Sequence, residues 1–213
     1  MKKRVLYIGA DDSNHAGVKK NGEIILATFS FSDRDGAVEN FSNRRNPEIV
    51  NEWEREAGGD YRFTILTNLD ISTGFSNSLV NYEFGSRTSN LPFAVPFLIA
   101  DFLRTHKGID QIRLFLDGLI APQHKEAMSR DFKKLGLELI VEDFPKKRKG
   151  EKRQTIKRPY CPRVVYVADY KANYLFEKNF DKISTNKNNV RIPREALICY
   201  LNRKKVPLEL YNL

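Results

Sequence analysis

The sequence predicts an α/β fold, a mixed sheet covered by helices. Three observations carry that reading. An Asn21-Gly22 pair separates two strand-like apolar runs near the start, a strong signal for an antiparallel hairpin. A third strand-like run follows at 61–69. From residue 95 onward, helical apolar stripes alternate with short strand-like runs, the rhythm of parallel strands joined through helices.

In chain order, Arg4 to Asp11 and Glu23 to Phe31 are rich in Val, Ile, Leu, Tyr and Phe and read as strands one and two. The polar stretch from Ser32 to Asp60 predicts one short helix, opened by Pro47 and stopped by Gly58-Gly59. Tyr61 to Leu69 is the third strand, and the Ser/Asn/Gly-rich segment 72–90 reads as a long loop. Val95, Leu98, Ile99, Phe102 and Leu103 form a helical stripe that Gly108 terminates. Gln111 to Asp117 is the fourth strand. Pro122 opens a helix with Met128, Phe132 and Leu135 on its buried face, and Gly136 ends it. Leu137, Leu139 and Val141 alternate with polar residues in a fifth strand. Val164, Ala168, Ala172 and Leu175 mark a helix, although the β-branched residues at its start also permit strand-then-helix. Pro193 begins a last helix with Leu197, Ile198, Tyr200 and Leu201 inside.

The 213 residues suit one domain, 1–213, with an ordinary balance of 41% hydrophobic and 30% charged residues. The apolar runs are too short to span a bilayer, and Val5 to Ala10 is too short for a secretory signal. With only Cys161 and Cys199, the expectation is a cytoplasmic protein without a disulfide framework. His15, His106 and His124 show no zinc-ligand spacing. The net charge of +9 is concentrated in a basic loop at about 145–163. There Lys146, Lys147, Arg148, Lys149, Lys152, Arg153, Lys157 and Arg158 face the single acid Glu151, a net +7. Such a field attracts a polyanion, so nucleic acid, DNA or RNA, is the expected partner. A solvated loop serving solubility, or a nuclear-localisation segment, is the plainer alternative. Oligomeric state is not legible.

Carboxylates stand at three mutually compatible places. Strand one ends in Asp11-Asp12-Ser13, strand four in Asp117-Gly118, and the late helix contains Ala168-Asp169-Tyr170. If strands one and four are parallel neighbours, their carboxyl ends lie side by side, and a helix across that edge delivers Asp169. Converging carboxylates are costly until a cation neutralises them, and hard oxygen ligands suit Mg²⁺ or Mn²⁺. Two such ions would activate water and stabilise the leaving oxygen of a phosphodiester. Each acid also has an ordinary reading: an Asx turn at Asp11-Asp12, a turn at Asp117-Gly118, and pairing of Asp169 with Lys171 or Arg163. Adjacent strand side chains point to opposite faces, so Asp11 and Asp12 share one site only if a turn intervenes. Glu142 and Asp143 are read as neutralising the basic loop rather than joining the site.

Taken together, Gly9-Ala10-Asp11-Asp12-Ser13 and Val165-Tyr166-Val167-Ala168-Asp169-Tyr170 resemble the ribonuclease H-like superfamily. The first is similar to the G-I-D-E opening of type 2 ribonucleases H, and more to the D-E-S-G opening of a poorly characterised branch with an A-D pair in a C-terminal helix. The resemblance implies a ribonuclease H-like mixed sheet, an antiparallel three-stranded unit followed by parallel strands. It implies Asp11, Asp117 and Asp169 as metal ligands and Asp12 as an auxiliary catalytic acid. The chain departs from the pattern at Asp12, where glutamate is usual, and at Asn14, where glycine is common. Asn14-His15-Ala16-Gly17 replaces the glycine-arginine-glycine loop that senses RNA–DNA junctions, and the glutamine often found before A-D is missing.

The expected function is therefore a metal-dependent nuclease or related phosphoryl-transfer enzyme, a hydrolase of phosphodiester bonds. Its alternative is a non-catalytic nucleic-acid-binding module of the same fold. An actin-like ATPase or sugar kinase fits less well, because those enzymes need two such domains around ATP. A PIN-type nuclease fits its parallel sheet poorly to the early hairpin.

Overall fold

A computed structural model of the chain describes residues 3–13, 23–32, 34–39, 60–67, 83–84, 87–88, 94–117, 122–144, 161–178 and 180–193. The main strands are β1 (Val5–Ser13), β2 (Glu23–Phe31), β3 (Asp60–Thr67), β4 (Gln111–Asp117) and β5 (Glu138–Phe144). The helices are α1 (Arg34–Val38), α2 (Val95–Thr105), α3 (Pro122–Lys134) and α4 (Arg163–Lys178), followed by a 3₁₀ turn at Phe180–Thr185. The five strands form one mixed sheet in the order β3-β2-β1-β4-β5. β1 pairs antiparallel with β2, and β2 with β3, whereas β4 lies parallel to both β1 and β5. A two-residue ribbon, Glu83–Phe84 against Arg87–Thr88, stands apart from it.

Alternation along β1 divides the interior into two layers. Leu6, Ile8 and Ala10 pack with Val95, Leu98, Ile99 and Phe102 of α2 and with Met128 and Phe132 of α3. Tyr7 packs with Phe115 of β4 and Val164, Val165, Val167 and Ala168 of α4. β1 and β2 are thus covered on both faces, and every residue after the first in each strand is buried.

The stripe expected at Val95, Leu98, Ile99, Phe102 and Leu103 is buried in full. Gly108 and Gly136 both adopt positive φ, at 73° and 77°. At Gly136 the turn closes with its amide donating to Lys133 O and the Leu137 amide to Phe132 O. That is the helix stop a residue without Cβ favours. Ser129 Oγ donates to Leu139 O at 2.8 Å and ties α3 to β5.

The two ends of the sheet differ. At the β3 edge, the Phe63 amide donates to Asn188 O and the Val190 amide to Phe63 O, so the segment after the 3₁₀ turn covers that edge. Buried Arg62 clamps β3 to α2: Nε donates to Asp101 Oδ2 at 2.5 Å, Nη2 to Thr105 Oγ1 at 3.2 Å, and Nη1 meets Asp60 Oδ2 at 2.6 Å. The guanidinium also lies 4.9 Å from the Phe102 ring centre, a cation–π contact.

Several expectations are refined. β1 runs two residues beyond Asp11, through both aspartates, because its register with β2 continues unbroken to the Ser13–Ile25 pair. α1 occupies a stretch expected to be irregular, burying Ala37. The segment 163–178 is one helix throughout; packing of its β-branched face on β1 outweighs their strand preference. The expected helices from Pro47 and beyond Pro193, the 19–22 turn and the basic loop 145–160 lie outside the described residues. Among the described residues, no helix is long and apolar enough to cross a membrane.

Candidate functional site

Strand alternation and one glycine position the site. Along β1 the odd-numbered residues, Tyr7, Gly9, Asp11 and Ser13, face α4, because Tyr7 packs in that layer and the pairing contains no bulge. Gly9 is where the helix seats. A Cβ there would stand 2.2 Å from Val164 O and 2.6 Å from Val165 N, so only glycine lets backbone approach backbone this closely.

From that seat, α4 runs in the same direction as β1. Its first half packs with Phe29 and Phe31 of β2, and its second half, through Ala172, Leu175 and Phe176, with Ile25 and Ala27. Because β2 is antiparallel, that progression follows β1 from Tyr7 towards Ser13. Asp11 lies two residues past Gly9, about 7 Å along the strand. Asp169 lies five residues past Val164, about 7.5 Å along the helix. The two acids therefore reach the same level of the sheet.

The flank of α4 that bears Asp169 follows from a second contact. Lys171 Nζ lies 4.5 Å from the Tyr61 ring centre, so that flank faces β3. Asp169 precedes it by two residues, about 200° around the helix, which turns Asp169 away from β3 towards β1 and β4. Asn173, one turn on, donates Nδ2 to Asp169 Oδ1 at 2.6 Å and to Asp169 O at 2.9 Å. This bond holds the carboxylate in one orientation. Arg163 forms an ion pair with Glu39, and its amide donates to Glu39 O, joining α4 to α1.

Asp117 is the last residue of β4. The β1–β4 register ends at Ala10 beside Leu116, so Asp11 and Asp117 each follow that pair by one residue on neighbouring parallel strands. Neighbouring strands lie about 4.8 Å apart. The Asp117 side chain lies outside the described residues, as do Lys146, Lys147, Arg148, Lys149, Lys152, Arg153, Lys157 and Arg158. Among the described residues, no three His, Cys, Asp or Glu side chains form a complete metal-holding group.

Asp12 stands apart from the expected arrangement. Since β1 stays regular through Ser13, no turn brings Asp12 round to Asp11, and its parity is that of Ile8 and Ala10 on the α2–α3 face. Its amide donates to Asp11 Oδ1 at 2.8 Å, which fixes one oxygen of the buried Asp11 carboxylate. Glu142, expected to offset the basic loop, pairs with Arg113 inside the sheet. Arg113 also lies 5.8 Å from the Phe115 ring centre.

Sequence reasoning did not single out two polar neighbours of these acids. Asn173 carried a signal, its i+4 spacing from Asp169. Ser13 carried one too, its parity with Asp11. It is 2% exposed, and its Oγ finds no hydrogen-bond partner among the described residues.

No protein-family model matches this chain, and a search of curated proteins finds none that matches it.

Proposed function

We propose that the chain is a ribonuclease H-like, divalent-metal-dependent nuclease or related phosphoryl-transfer enzyme acting on nucleic acid. The observation that carries the reading is the placement of buried Asp11 beneath α4, level with Asp169, beside the strand that ends in Asp117. The sheet order supports it: an antiparallel three-stranded unit continues into parallel strands, with the acids at the carboxyl end of the β1–β4 pair. Ligands of open α/β sheets bind outside carboxyl strand ends.

The donor set fits Mg²⁺ or Mn²⁺, since Asp11, Asp117 and Asp169 offer hard oxygens and no thiolate or imidazole. Bound there, such ions supply charge neutralisation and activation of water for attack at phosphorus. The chain's own residues do the positioning. The Asp12 amide and Asn173 Nδ2 each hold one carboxylate oxygen in place. The α4 layer keeps Asp11 out of bulk water, which strengthens its attraction for a cation. The basic segment from Lys146 to Arg158 lies shortly before α4 in sequence and supplies attraction for the phosphate backbone.

The test is cleavage of labelled DNA and RNA, single- and double-stranded, in Mn²⁺ by the wild type and Asp11→Asn. The expected result is at least a 100-fold loss in the variant; equal cleavage by both would sink the reading. A non-catalytic nucleic-acid-binding module predicts salt-dependent binding with no cleavage by either protein.

A further inference from the structure

We propose that Ser13 is the phosphate-orienting donor of this site, its hydroxyl hydrogen-bonding a non-bridging oxygen of the bound nucleic-acid strand. The inference rests on the nuclease reading above and adds a substrate contact to it.

Three observations carry it. Ser13 is 2% exposed, and Oγ has no hydrogen-bond partner among the described residues. Buried hydroxyls are nearly always satisfied, so an orphan in a regular strand calls for an explanation such as a ligand. Its cross-strand neighbour is Ile25, which packs with Ala27, Phe63, Ala172, Leu175 and Phe176. A serine there offers no apolar packing that alanine would not match. Finally, Ser13 follows Asp11 on the same face, about 7 Å nearer the carboxyl end of β1.

Two buried hydroxyls elsewhere in the sheet do have partners. Thr28 Oγ1 donates to Arg62 O and Ser30 Oγ to Asp60 O, both between β2 and β3. These hydroxyls serve the sheet, whereas Ser13 is left to serve something absent from it. A hydroxyl suits the task because it donates to an anionic oxygen without adding a charge that competes with the cation.

The experiment compares full-length wild type, Ser13→Ala, Ser13→Thr and Asp11→Asn. The readouts are thermal denaturation without metal, Mn²⁺ affinity from the free-ion paramagnetic signal, oligonucleotide affinity by anisotropy, and cleavage in Mn²⁺. Ser13→Ala is expected to keep the wild-type melting temperature or exceed it, and to bind Mn²⁺ within about 2-fold of wild type. Oligonucleotide affinity and kcat/KM are each expected to fall 10- to 100-fold, about 1.4–2.8 kcal/mol by the tenfold-per-1.4 relation. Ser13→Thr, which keeps the hydroxyl, is expected to recover most of the loss. A Ser13→Ala protein that binds and cleaves like wild type, while Asp11→Asn is inert, overturns the Ser13 assignment and leaves the nuclease reading intact. So does a Ser13→Ala protein that melts several degrees lower, since the hydroxyl is then structural. A wild type that neither binds Mn²⁺ nor cleaves overturns the underlying reading, and this inference with it.

Discussion

Replacing Gly9 by alanine tests the seat on which the site depends. The added Cβ would lie 2.2 Å from Val164 O, 2.3 Å from Val164 C and 2.6 Å from Val165 N. All three are backbone atoms of α4, so no side-chain rotation relieves the overlap. Ordinary contact requires the first turn of α4 to lift by about 1 Å, and a gap of that size forfeits up to half of each affected dispersion contact. Val164, Val165 and Ala168 are buried at this seat. Overpacking alone costs about 1–3 kcal/mol; with the loosened layer, Gly9→Ala is expected to lose about 2–4 kcal/mol. Urea denaturation followed by circular dichroism measures this as a lower midpoint at unchanged slope. Gly136→Ala is the control: its φ is 77° but nothing lies within 4 Å of the new Cβ, so conformational strain alone costs about 1 kcal/mol. The lift also carries Asp169 away from Asp11, so Mn²⁺ affinity is expected to fall in Gly9→Ala and not in Gly136→Ala. A Gly9→Ala protein within 0.5 kcal/mol of wild type, roughly the ordinary surface scatter, would refute the reasoning.

Two other perturbations have defined outcomes. Arg62→Met removes the bonds to Asp101, Asp60 and Thr105; because Asp101 keeps Arg104 and Asp60 keeps the Tyr61 amide, the expected loss is about 2 kcal/mol. A double-mutant cycle with Asp101→Asn checks it, and a zero coupling energy contradicts the clamp. The Lys3–Glu138 pair joins the start of the chain to β5 at 2.8 Å. The hydrogen bond from Lys3 holds the Glu138 carboxyl below its usual range, and the bond to Glu138 raises the Lys3 ammonium above its own. Its small stabilisation is therefore present at neutral pH. It fades on acidification through the lowered Glu138 pKa and on alkalinisation through the raised Lys3 pKa. Melting curves of wild type and Lys3→Ala should differ slightly at pH 7 and converge in strong acid; a difference that persists there contradicts the pairing.

Much of this arrangement is legible in the sequence, and the exceptions have physical causes. β2 and β4 are rich in apolar and β-forming residues and were expected at the bounds observed, Glu23–Phe31 and Gln111–Asp117. α2 and the end of α3 followed from periodicity and from glycines at helix stops. β1 was expected to end at Asp11 because aspartate disfavours strands and favours turns; pairing with β2 overrides that local preference. α1 was invisible because five residues carry too little periodicity to read. The sequence allowed β1 and β4 to be parallel neighbours, as they are, but it could not show that Gly9 faces Val164, since contact between distant segments leaves no periodic trace. Asp12 is instructive in the opposite sense. The two-residue period of a strand already required it to oppose Asp11, and the structure contains no turn that relaxes the requirement.

The central claim is that Asp11, Asp117 and Asp169 hold one divalent cation site in common. Mn²⁺ titration of the full chain, with wild type beside Asp11→Asn, Asp117→Asn and Asp169→Asn, measures it most directly. Each substitution is predicted to weaken Mn²⁺ binding at least tenfold while leaving the metal-free protein folded and at least as stable, because a mutually repelling charge is removed. A folded variant at any of the three positions that binds Mn²⁺ as tightly as wild type would contradict the shared site.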